Sequence, residues 1–174
     1  MKRIRCLVLI FITFFAVSCT TTHTVSSPVP NKIKLETNKV IYLNLPRDGR
    51  YEGTIYRGSA QTYQELLEIG IENYASKIIL GKEYENLNNC QITALNNNAD
   101  YLIYSTIINW EDRATAWSGI ADTVTIKIEI IELINGEKIY EAELFGKGKN
   151  ITLSSGSPED LLPEIFNKLV RDIF

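Results

Sequence analysis

The sequence predicts an α/β sandwich: one mixed sheet of about five strands with helices packed mainly on one face, in the order β-α-β-α-β-β-β-α. Three observations predict it. Short β-branched runs alternate with helical stripes over the first half of the chain, the pattern of strands joined by crossover helices. Two longer strand runs, "YLIYSTIINW" and "DTVTIKIEI", then lead to an "NG" turn signal and a third run through Tyr140, Ala142 and Leu144. The chain closes on "DLLPEIFNKLVRDIF", whose Leu161, Leu162, Ile165, Phe166, Leu169, Val170 and Ile173 form one apolar helical face.

Taken in order, the domain begins near Asn38. "KVIYLNL" is a β-branched strand stopped by Pro46, and a glycine-rich loop, "PRDGRYEGTIYRG", follows. Ser59 is the expected cap of a helix carrying Tyr63, Leu66, Leu67, Gly70 and Tyr74 on one stripe. "KIIL" is a short buried strand. A second helix is expected from about Glu85 to Asn97, with Leu87, Cys90, Ala94 and Leu95 inward and Asn98 in the left-handed position beyond its end. "YLIYSTIINW" is apolar on both faces and therefore central. Ser157, Pro158 and Asp160 start the last helix, and Pro163 either kinks it or begins its main part.

Parity decides the last hairpin. A two-residue turn at Asn135-Gly136 would set Ile128 and Ile130 opposite Glu143 and Glu141, placing charge on the core face. A three-residue loop, Ile134-Asn135-Gly136 with Gly136 left-handed, pairs Ile130 with Tyr140, Ile128 with Ala142 and Ile126 with Leu144. The apolar sets then meet, so this register is expected.

The N-terminus gives an address. Lys2, Arg3 and Arg5 precede "CLVLIFITFFAV", an apolar run about half the ~20 residues needed to span a bilayer. Residues 1–18 therefore read as a secretory signal. "AVSC" directly follows the apolar run and resembles a bacterial lipobox, which implies lipidation of Cys19 and cleavage before it. Thr20, in place of Asp, implies sorting to the outer membrane, facing the periplasm. Residues 19–37 then read as the lipidated cysteine and a flexible tether rich in Thr, Ser and Pro. Its His23 is the sole histidine of the chain and reads as a solvated linker residue. The single domain is expected over residues 38–174. Of three cysteines, Cys6 leaves with the signal and Cys19 carries lipid, so Cys90 stands alone and forms no disulfide within the chain. Loss of Lys2, Arg3 and Arg5 takes the formal net charge from −3 to −6. There is no basic tract, which argues against a nucleic-acid partner.

The segments "IYLNLPRDGRYEGTIYRGS", "ADYLIYSTIINWEDRATAWSG" and "DLLPEIF" resemble a family of bacterial lipoproteins known as domain-of-unknown-function family 4823. "WEDRATAWSG" holds its most specific residues. More distantly, "ADYLIYSTI" and "IKIEIIELINGEKI" are similar to the fold shared by the TolB N-terminal domain, the curli secretion lipoprotein and the lipoprotein activators of penicillin-binding proteins. That second resemblance implies a fold and, by analogy alone, a role in envelope assembly or regulation.

Little in the sequence reads as catalysis. With His23 in the tether, the domain lacks histidine, which excludes Ser-His-Asp and Cys-His sets and the usual zinc sites. "GTIYRGSA" before a helix lacks the lysine of a phosphate-binding loop and reads as a turn with a cap. Glu111 and Asp112 are adjacent carboxylates that point to opposite faces of an extended strand, so they do not converge. Arg113 is the natural partner of one of them. No enzyme and no cofactor is expected. The expected role is protein–protein contact in the envelope, through Trp110, Glu111, Asp112, Arg113 and Trp117. The alternative is a periplasmic small-ligand or glycan binder using the region of Trp110 and Trp117. Trp110 is expected buried, on the face of Leu102, Tyr104, Thr106 and Ile108, and Trp117 partly exposed.

Overall fold

A computed structural model describes residues 22–26, 34–113, 120–148 and 157–174. The chain runs through strands β1 (Thr22–Ser26), β2 (Lys39–Leu43), β3 (Arg50–Tyr51) and β4 (Thr54–Ile55) to helix α1 (Ser59–Ile71). It continues through β5 (Ala75–Leu80), α2 (Leu87–Asn96), β6 (Tyr101–Glu111), β7 (Thr123–Glu132) and β8 (Glu137–Lys147). A 3₁₀ turn at Pro158–Leu161 leads into α3 (Leu162–Ile173). Six strands pair in the order β1-β8-β7-β6-β2-β5, and β3 and β4 form a separate two-stranded ribbon.

β2 is the centre of the parallel half, with β5 on one side and β6 on the other. The crossover through α1 runs from β2 to β5; the crossover through α2 runs back past β2 to β6. Right-handed connections in opposite directions must put their helices on opposite faces. The cores follow that rule. Tyr63, Leu67 and Ile71 of α1 join Phe166 and Leu169 of α3 over Ile41, Leu43 and Ile103. Cys90 and Ala94 of α2 pack on Tyr42, Leu102 and Tyr104, the other set of the same strands. The expected architecture therefore stands, with two helices on one face and one on the other. Tyr63 meets Phe166 edge-on, ring centroids 5.4 Å apart, which locks α1 to α3.

The helix ends are partly as expected. Asn98 has φ 56°, the left-handed geometry predicted for it. Pro163 lies in the first turn of α3 and so begins the main helix, while Ser157 and Asp160 close a reciprocal capping box ahead of it. Ser59, however, is not the cap of α1. It is the first helical residue, and Asp48 accepts hydrogen bonds from the N–H groups of Gly58 (3.1 Å) and Ala60 (3.2 Å). Leu95 was expected inward and is 49% exposed; the small Cys90 and Ala94 make the contact and let α2 sit close to the sheet.

The hairpin register is the predicted one: Ile126, Ile128 and Ile130 face Leu144, Ala142 and Tyr140. The turn differs in detail. Glu132 pairs with Glu137 across the four residues Leu133 to Gly136, and a register shift between Ile130 and Ile131 restores the parity of the strands. Gly136 has φ 72°. The stretch read as a tether is also corrected in part. Thr22–Ser26 pairs antiparallel with β8, and Leu35 is buried with its N–H 2.7 Å from the carbonyl of Ile173. His23 lies in this strand, opposite Gly146. A run of Thr and Val suits an edge strand, and β8 offers a row of backbone groups to pair with. The signal sequence and Cys19 lie outside the described residues.

Beyond its own residue and its two chain neighbours, no heavy atom lies within 4 Å of where a Cβ on Gly136 would sit, so its demand is one of backbone conformation. Gly136→Val should cost on the order of 1 kcal/mol or more, and Gly136→Asn clearly less, because Asn tolerates left-handed geometry. Urea unfolding of the two variants checks this. Equal costs would mean that left-handed strain is not what fixes this glycine.

Candidate functional site at the carboxyl end of β6

"WEDR" closes β6, and its geometry starts from an irregularity two residues earlier. Ile107 pairs with Ile126, but Asn109 pairs with Thr125, so Ile108 is an extra residue in the strand. A bulge resets the two-residue alternation. Trp110 therefore does not share the face of Leu102 and Tyr104 as the sequence suggested. It joins the opposite core, with Ile103 and Val124, while Ile108 is turned out and 51% exposed. The expectation of burial holds: Trp110 is 1% exposed.

Trp110 is packed against the bare backbone of Gly49. A Cβ at Gly49 would lie 2.3 Å from the Cβ of Trp110 and 2.8 Å from its Cγ. The same loop residue is held on both sides, with Gly49 N–H donating to Ser59 Oγ (2.8 Å) and Tyr56 N–H to Gly49 O (3.0 Å).

Glu111 follows, buried and fully engaged. One carboxylate oxygen takes the Arg113 Nε–H; the other takes the hydroxyl of Thr123 (2.8 Å), which itself accepts from Asn109 Nδ2 (2.8 Å). Arg113 reaches on, donating from Nη2 to Tyr51 OH (2.7 Å), with its guanidinium carbon 5.3 Å from the Tyr51 ring centroid. Its backbone N–H donates to Asp122 Oδ1 (2.6 Å). Charge-assisted bonds of this kind are the stronger ones. Together they fasten the ribbon β3–β4 to the ends of β6 and β7.

Asp112 is the first residue past β6, and its carboxyl forms no ion pair with Arg113. Its carboxyl is pushed above the usual carboxylate range by partial burial, then by the charges of Asp122 and Glu159. Asp122 is raised by burial too, against the lowering effect of the Arg113 N–H. The structure thus brings Glu111 and Arg113 together, separates Asp112 from them and removes Trp110 from the surface. Trp117 lies outside the described residues. Sequence reading missed Asp48, Gly49 and Tyr51, whose partners in this network are from seven to more than sixty residues away. Only the glycine-rich character of their loop hinted at close backbone approach.

The remaining chemistry is sparse. Burial pushes the Cys90 thiol up to about 12, so it stays protonated and unreactive. Among the described residues, no group of three or more His, Cys, Asp or Glu side chains could hold a metal. None of the described helices is long and apolar enough to cross a membrane.

Fold and site together define an α/β sandwich in which a polar network at the end of a central strand serves to hold a loop. The chain belongs to the family described as a domain of unknown function, DUF4823, which matches residues 33–173. Among solved structures it is similar to the PelC dodecamer from Paraburkholderia phytofirmans, with 12% identity over 86% of this chain and 97% of that one and a TM-score of 0.60. Protein XCC0632 from Xanthomonas campestris is similar at 10% identity over 83% and 88% of the two chains, TM-score 0.53. The LpoB C-terminal domain from Salmonella enterica overlaps more loosely, at 13% identity over 64% and 84%, TM-score 0.40. No curated protein matches the sequence. At these identities the likeness is one of fold, and it names no enzyme.

Two outcomes test the site. Gly49→Ala should destabilise the domain by about 1–3 kcal/mol despite its loop position, because Trp110 Cβ cannot move away without its strand. Trp110→Ala should cost about 3–5 kcal/mol. Chemical denaturation reads both, and a neutral Gly49→Ala would contradict the contact. Asp112 gives a pH test. Its folded pKa is raised, so the stability it lends is present at low pH and lost as pH rises through that value. Asp112→Asn removes the loss. It should melt slightly higher than wild type at pH 7, on the order of 1 °C after solvent screening, and equally near pH 3.

Proposed function

We propose that this protein is a lipid-anchored module of the bacterial cell envelope that acts through contact with another envelope protein. Cys19 carries the lipid, and the domain sits at the periplasmic face of the outer membrane. The sequence signals for export and lipidation support the anchor. The observation that carries the reading is the place of β1, which begins at Thr22 and is paired to β8. Three extended residues reach about 10 Å. A lipid on Cys19 therefore holds the β1 edge of the sheet close to the bilayer rather than on a long tether.

The opposite edge, β5, is then left for a partner. Among the described strands it pairs with β2 alone, and Ser76 and Lys77 on it are exposed. An open edge can accept an added strand, with the lysine limiting unwanted pairing. PelC, similar in fold, is a dodecamer, so repeated contact has a precedent in this architecture. The reading of Trp110 as part of a ligand platform loses support from its burial.

Two variants test the proposal in cells. Cys19→Ser should abolish palmitate labelling and release the protein from the membrane fraction. A photo-crosslinking amino acid at Lys77 should form a protein adduct in the wild-type background, weakened at least tenfold by Cys19→Ser. Labelling of Cys19→Ser at the wild-type level would sink the anchor. Adducts absent at Lys77 but present along β1 would reverse the orientation.

A further inference from the structure

β2 and β6 part company at their carboxyl ends. β2 stops at Leu43, paired with Ile103, and Asn44 finishes the ladder with its side chain, accepting from Ser105 N–H (2.7 Å) and donating to Ser105 O (2.9 Å). β6 continues to Glu111. From β2 the chain leaves toward β5; from β6 it leaves toward β7. Parallel strands whose connections diverge in this way open a crevice outside their carboxyl ends, which is where open α/β sheets hold ligands.

The crevice is present. Two adjoining clefts of 490 and 350 Å³ share Arg47, Asp48, Arg50 and Tyr84. Those volumes fall within the range of small-molecule sites. The smaller cleft is floored by β6 from Tyr104 to Ile108, including the exposed Thr106.

Its charge is out of character with the chain, which is at −3. Asp48 lines both clefts, but its Oδ1 is committed to the N–H groups that open α1. Arg47 and Arg50 form no ion pair with any described residue. Lys39, Arg113, Lys127 and Lys138 do, so the two arginines of the crevice are among the described cations whose charge no carboxylate offsets. Arg47 instead stacks its guanidinium 4.2 Å from the centroid of the Tyr84 ring, which is 43% exposed. Stacking fixes a guanidinium while leaving its N–H fork free for an anion. The wall that carries both arginines is the loop pinned by Gly49 on Trp110 and by Tyr51 on Arg113.

We propose that this crevice binds a small anionic sugar, a polar ring bearing a carboxylate or a phosphate. Arg47 and Arg50 grip the anion, and Tyr84 and Thr106 border the ring. The site does not depend on lipidation or on the β5 edge. The "WEDR" network acts on it as a positioning device, through the loop.

Calorimetric titration of the purified full-length protein in detergent tests this with glucose 1-phosphate, galacturonate and neutral galactose. At least one anionic sugar should bind saturably, more weakly in high salt, and at least tenfold more weakly in Arg47→Ala/Arg50→Ala. Both arginines are exposed, so that variant should keep the wild-type melting temperature; Arg50→Glu, with a single charge reversed, gives a second reading. Binding of glucose 1-phosphate alone assigns phosphate as the anion, and binding of galacturonate alone assigns carboxylate. Failure of both anionic probes, equal binding of galactose, or wild-type affinity in both arginine variants would overturn the proposal.

Discussion

The contact of Trp110 with the backbone of Gly49 sets the arrangement of the whole carboxyl end of the sheet. Trp110 is the largest fully buried side chain among the described residues, and it can be accommodated in this place only where the facing residue has no side chain. The bulge at Ile108 turns the ring into the core shared with α3. The following residue, Glu111, is then free to reach Arg113 and Thr123 at the rim. Without the extra residue, parity would send Trp110 toward α2, and the loop from Leu45 to Gly58 would have nothing to close on. One inserted residue thus couples the core to a surface network, which is how bulges re-aim side chains near functional regions.

Much of this was legible beforehand. Element order, the central position of β6 and the hairpin register followed from apolar periodicity, because a one-residue slip there would have buried Glu141 and Glu143. Asn98 and Gly136 were legible from backbone preference alone. Other features depend on contacts distant in sequence. Asp48 replaces Ser59 as the cap of α1 from ten residues upstream, and no local pattern announces it. The bulge could not be read either: "STIINWED" alternates as well with it as without it. β1 was missed for a compositional reason, since "THTVS" is polar enough to look like a linker and needs the edge of β8 to become a strand.

The same distinction applies to the candidate site. Arg113 was expected to partner one of the two adjacent carboxylates, and it pairs with Glu111, but the connection it holds includes Tyr51, whose place beside it only the fold determines. The residues with exposed chemistry, Arg47, Arg50 and Tyr84, carry no motif. They are brought together because β2 ends eight residues before β6 does, measured from Ile103 to Glu111. Site formation here is a consequence of unequal strand lengths at a switch in topology.

The role of Asp48 completes the electrostatic argument. Had Ser59 capped α1, Asp48 would have been free to pair with Arg47 or Arg50, and the crevice would be close to neutral in effect. By accepting from Gly58 and Ala60 it places its charge at the positive end of the helix, where the macrodipole stabilises it. The start of α1 is thereby closed to an outside anion from within. The capacity to attract an anion is displaced by one side chain, from the backbone of α1 to two guanidiniums on the facing loop.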